Sequence, residues 1–111
     1  MQTDIFNKNV EEMWQTVRAT AIEKGSIYAD EYDRLYNIKD GAKDNNITPL
    51  QYANILQSKQ NTVLKDMIKR EALGILPSEE LLKEIIKDKI LYLLIMYNLF
   101  LENIQTEGDI F

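Results

Sequence analysis

An all-α four-helix bundle with a long apolar C-terminal helix is the fold class that this chain of 111 residues predicts. Three observations carry that expectation. Apolar residues recur at three- and four-residue steps in four segments, and no segment alternates as a strand does. Helix start signals stand where those segments begin, Thr48 before Pro49 and Ser78 before Glu79 and Glu80. Finally, residues 90–101, ILYLLIMYNLFL, contain a single strongly polar member, Asn98. A helix apolar on nearly every side must be surrounded.

The first helix is expected over 3–24. Thr3 is its N-cap, Phe6, Val10, Met13, Trp14, Val17 and Ala21 form one face, and Gly25 stands at C′. The second, over 29–43, places Tyr32, Leu35, Ile38 and Ala42 on one side before Asp44-Asn45-Asn46 breaks it. The third, over 48–73, has Pro49 at its first position. Leu50, Ala53, Leu56, Val63, Leu64, Met67 and Ile68 follow on it, and it ends near Leu73–Gly74. The fourth, over 78–103, would be close to 40 Å long at roughly 1.5 Å per residue. An acidic tail, 104–111, closes a chain whose length fits one domain. Three helices of one subunit or a dimer interface could enclose the apolar run, and the expectation is a dimer.

Composition removes whole classes of chemistry. With no cysteine and no histidine, the chain offers no disulfide, no thiolate or imidazole ligand for zinc or haem, and no histidine-activated nucleophile. A metal would have to be held by oxygen, which favours Mg²⁺, Mn²⁺ or Ca²⁺. The net charge is -5 and no basic stripe forms, so direct nucleic-acid binding is not expected. The apolar run falls short of the roughly 20 residues of a membrane span. The N-terminal MQTDIFNKNVEE has no apolar h-region, so no signal peptide is expected, and absence of cysteine fits an intracellular protein.

Several polar residues share the apolar faces. On the last helix Lys89 falls near the middle of the face made by Leu81, Leu82, Ile85 and Ile86, with Asp88 on its flank. Glu80, Glu84 and Asp88 follow at four-residue steps, a column of like charge that opposes the helix unless compensated. Lys83 and Lys87, a basic residue of another helix, or a metal would serve. Glu31 and Lys39 lie with Tyr32 and Leu35 on the second helix, and Gln57 and Gln60 interrupt the face of the third. Either these groups share one polar site, or the long side chains snorkel and the glutamines satisfy one another. Asn98 reads as an interhelical hydrogen bond that sets register. Tyr28, Tyr32 and Tyr36 lie on or near one face and could pack on the first helix or stack on a base.

The stretches KGSIYADEYDRLYNIKDGAK, ITPLQYANILQSKQNTVLKDMI and EIIKDKILYLLIMYNLFLE, in that order, resemble small bacteriophage and prophage proteins with nucleotide-modification-associated domains. More remotely the chain is similar to the MazG-type all-α NTP pyrophosphatases, over about residues 24–103. In that family, acidic residues on two helices hold Mg²⁺, which positions a nucleoside triphosphate for attack by water. The resemblance implies Glu84 and Asp88 as the acidic pair of the last helix, Glu31 with Asp30 on the other, and Tyr92 at the aromatic position after Asp88. Leu91 stands where that family often has Asn. Arg34 or Lys89 would counter phosphate charge, and Lys39, Gln57, Gln60 and Tyr92 would line the ligand.

Two functions follow as expectations. One is a MazG-like accessory protein of phage nucleotide metabolism in the cytoplasm of a bacterial host. It would bind a nucleotide or its Mg²⁺ complex and could hydrolyse a phosphoanhydride. The alternative is a non-enzymatic phage protein that inhibits a host defence protein or sequesters a signalling nucleotide.

Overall fold

The computed structural model describes residues 1–28, with side chains as far as 23, and residues 33–106. It is all-helical in this range, with α1 Thr3–Tyr28, α2 Tyr36–Asp44, α3 Pro49–Glu71 and α4 Glu79–Thr106. The expectations for Asp30, Glu31, Tyr32, the Tyr28 side chain and helix over 29–32 lie outside the described residues.

The ends of the elements follow local chemistry. Thr48 Oγ1 accepts from the Gln51 N–H at 3.1 Å while Gln51 Oε1 accepts from the Thr48 N–H at 2.9 Å, a complete capping box ahead of Pro49. Ser78 Oγ accepts from the Leu81 N–H at 3.1 Å and opens α4. After α2, Asn46 takes the left-handed conformation (φ 55), and the Ile47 and Asn46 N–H groups bond back to Ala42 O and Lys43 O. That pair of bonds is a Schellman ending. Gly74 (φ 78) does the same after α3, with Ile75 N–H to Arg70 O and Gly74 N–H to Glu71 O.

Three boundaries differ from expectation. α1 carries on through Gly25 to Tyr28, because glycine permits a left-handed stop without requiring one. α2 begins only at Tyr36, because Asp33 Oδ1 accepts from the Leu35 N–H at 2.9 Å and this local bond competes with helix. α4 continues to Thr106.

The principal packing is α3 against α4, with α2 lying on α3 and α1 on α4. Val17, Ala42, Ala53, Met67, Leu91 and Leu99 are the buried apolar residues among those described. The apolar run of α4 is therefore not surrounded. Leu91 and Leu99 face inward, but Leu93, Tyr97 and Phe100 stand about half exposed. The radius of gyration is 16.6 Å, against about 13 Å for a compact chain of this length. No described helix is long and apolar enough to cross a membrane.

Candidate functional site

A cleft of about 670 Å³ opens between the later part of α1, the 33–38 segment and α4. Its floor is apolar, with Leu35, Ile38, Leu91, Leu94 and Ile95. Around that floor stand Asp33, Arg34, Asn37, Asp88, Tyr92, Asn98 and Glu102. An apolar concavity of a few hundred Å³ with a few convergent polar groups is the usual form of a small-molecule site.

Local bonds fix the polar groups. Arg34 is exposed at the rim and donates from Nη2 to Ala21 O at 3.0 Å, tying the 33–35 turn to α1. Lys39 Nζ donates to Asp33 Oδ2 at 2.8 Å and lies 2.8 Å from Glu102 Oε1, so it joins α2 to the far end of α4. The hydrogen bond from Lys39, and then the Leu35 N–H, hold the Asp33 carboxyl below its ordinary pKa. The bonds to Asp33 and then to Glu102 raise Lys39 above its own. Burial first, then the charge of Asp88 and the neighbouring Tyr52, pushes Tyr92 up, so its hydroxyl stays neutral well above physiological pH. Asn98 Nδ2 donates to Leu94 O of its own helix at 2.9 Å, so it lines the cleft instead of setting register between helices.

No family model, curated protein or solved structure matches this chain. The cleft has to be interpreted from its own residues.

The candidate ligand residues fall into two groups, not one. Arg34, Asp88 and Tyr92 line the cleft, while Lys39 stands behind it, holding Asp33 and Glu102. Lys89 and Gln57 meet elsewhere, in the α3–α4 seam. There the Lys89 ammonium donates to Gln57 Oε1 at 3.2 Å and to Asn61 Oδ1. Gln57 Nε2 donates to Asn54, and Gln60 Oε1 is buried with no hydrogen-bond partner among the described residues. Gln57 meets Lys89 of α4 from α3, whereas Arg34 is tied to α1, and Gln57, Gln60 and Lys89 do not line the cleft.

Of the candidate metal ligands, Glu31 lies outside the described residues. Glu84 and Asp88 share the Lys87 ammonium. Lys87 Nζ is 2.8 Å from Glu84 Oε1, 2.9 Å from Glu84 Oε2 and 3.8 Å from Asp88 Oδ1. Among the described residues no group of three acids is placed to hold a metal. The cation compensating this acidic column is thus a lysine, and Mg²⁺ would have to displace an ammonium that is itself buried.

Sequence reasoning did not single out Lys87 as buried, nor Asp33, Asn61 and Glu102 as partners. Lys87 had a signal, since it lies one turn before Leu91 on the same face. The others had none, because their partners lie on other helices or across a turn.

Proposed function

We propose that this chain binds a nucleotide-class ligand in the cleft between α1, the 33–38 segment and α4. In this proposal it acts as a homodimer in the cytoplasm of a bacterial host, as a phage-type protein of MazG-like ancestry. The observation that carries the ligand class is the composition of the cleft. An apolar lining beside Tyr92 suits a base, the amides of Asn37 and Asn98 suit its edge, and Arg34 suits phosphate. Binding is favoured over hydrolysis, because the Lys87 ammonium holds Glu84 at 2.8 Å and lies 3.8 Å from Asp88.

The test is a thermal-unfolding panel of nucleoside mono-, di- and triphosphates, with and without millimolar Mg²⁺. A ligand at about 100 times its Kd adds roughly 2.7 kcal/mol to stability, a shift of many degrees for a chain this small. Arg34→Ala should abolish the gain from the phosphates while unfolding normally without ligand. If no nucleotide shifts the parent chain, the proposal is wrong. Dependence on Mg²⁺ that is lost in Asp88→Asn would restore the hydrolytic alternative.

One observation favours a second function, the binding of a host protein. Eighteen large apolar side chains are exposed among the described residues, against four that are buried, Val17, Met67, Leu91 and Leu99.

A further inference from the structure

We infer that the N-terminal arm of α1 is the element that pairs two copies of this chain, by lying on the outward face of the partner's α4. This rests on the dimer proposed above and names its interface.

Two unpartnered stripes are present. On α4, Ile90, Leu93, Tyr97, Phe100 and Ile104 repeat at alternating three- and four-residue steps, the a/d spacing of helices that pair. Leu93 is 47% exposed, Tyr97 59%, Phe100 53% and Ile104 52%, so the stripe faces solvent, away from the buried Leu91 and Leu99. On α1, Phe6, Val10, Met13 and Val17 repeat with the same steps. Val17 is completely buried, but Phe6 and Val10 are exposed and none of the first fifteen residues is buried. The stripe of α1 thus begins in solvent and enters the fold only at Val17. Apolar turns of a helix that pack on nothing gain little from being helical, since packing supplies most helix stability.

The stripes meet. Phe6, Val10, Trp14 and Val17 from α1 and Ile90 from α4 line an apolar hollow of about 500 Å³. The donor arm therefore adjoins the acceptor stripe at Ile90 on each chain. That is what a two-fold axis needs, because the same patch must serve on both copies.

The exposed area supports a second chain as the occupant. A folded monomer of 13.0 kDa exposes about 6,300 Å² by the scaling of monomeric proteins. This chain exposes 8722 Å². The excess is roughly three times the ~800 Å² that each partner gives to a standard stable interface.

The chain has no cysteine, so introduced thiols report contacts cleanly. Chains carrying Phe6→Cys or Val10→Cys are mixed with chains carrying Leu93→Cys, Tyr97→Cys or Phe100→Cys at micromolar concentration and mildly oxidised. Ile55→Cys, an exposed position on α3, is the control. Mass is read by light scattering. The expectation is a species of twice 13.0 kDa, with arm-to-stripe disulfides forming well ahead of any to Ile55→Cys. The double variant Val10→Lys, Phe100→Lys should be monomeric with helical circular dichroism retained. A dimer that forms no arm-to-stripe disulfide overturns this interface and leaves the dimer standing. A monomer overturns both and points to a different protein as the partner of these faces. Because the thiols are read in the folded parent background, failure of the lysine variant to fold would not affect the result.

Discussion

Replacing Gly41 separates helix propensity from packing. It lies within α2, where alanine is ordinarily favoured over glycine by about 1 kcal/mol. A Cβ at this position would stand 2.5 Å from Tyr52 Cε1, 2.7 Å from Cζ and 2.8 Å from Oη. Carbon atoms in contact prefer roughly 3.5–4.0 Å, so the ring or α2 must give by about 1 Å. The ring has little freedom to leave, because it is half-buried between Gly41 and the neighbourhood of Tyr92. Overpacking of this kind costs roughly 1–3 kcal/mol, more than the gain in propensity. Gly41→Ala should therefore lower stability by about 1 kcal/mol, or the melting temperature by roughly 4–8 °C. Tyr52→Phe should not rescue it, since Cε1 and Cζ remain. In a Tyr52→Ala background the same glycine substitution should become stabilising by about 0.5–1 kcal/mol. Urea unfolding of the four chains at one protein concentration would give a coupling energy of about 1–2 kcal/mol. A rise in stability for Gly41→Ala in the parent chain would refute the reasoning, because propensity alone would then account for the site.

Lys39→Met removes the link from α2 to the end of α4 and should cost about 0.5–1 kcal/mol, since Asp33 is 35% and Glu102 42% exposed and both are screened. The pH dependence has a definite sign. Asp33 is lowered in the folded chain, so its share is present above the ordinary carboxylate pKa and is lost as pH falls through the folded value. Lys39 is raised, so its share is present below about 10.5 and is lost as pH rises through its folded value. The difference between parent and Lys39→Met should then be level from about pH 5 to 9 and shrink on either side, as denaturant titrations at several pH values would show. Thr48→Ala should lose about 1 kcal/mol by urea unfolding, because the capping box is complete, and Thr48→Ser should recover most of it. Leu91→Ala should cost about 2–4 kcal/mol, and Leu93→Ala should cost far less in any monomeric state, since only the first is buried. In a dimer built on the α4 stripe, Leu93→Ala would instead make the melting temperature more dependent on protein concentration.

The sequence by itself determined the helical class, the four helical segments and most of their ends. Those features are set within a few residues. Thr48-Pro49 and Ser78 satisfy the first free N–H groups of α3 and α4, and Asn46 and Gly74 take the left-handed turns that close α2 and α3. It also excluded disulfide, thiolate and imidazole chemistry, because composition alone decides whether such side chains exist. Periodicity placed Lys89 correctly toward a neighbouring helix, where Gln57 and Asn61 receive it. Only the tertiary structure decided which helix supplies each partner. The Lys39 links to Asp33 and Glu102 and the tie from Arg34 to Ala21 join residues far apart in the chain or across a turn. So does the separation of the α3–α4 seam from the cleft. A helical period gives the direction of a side chain around its own axis but not what stands opposite. For the same reason the twelve-residue apolar run read as a buried centre, yet Leu93, Tyr97 and Phe100 of that run stand about half exposed.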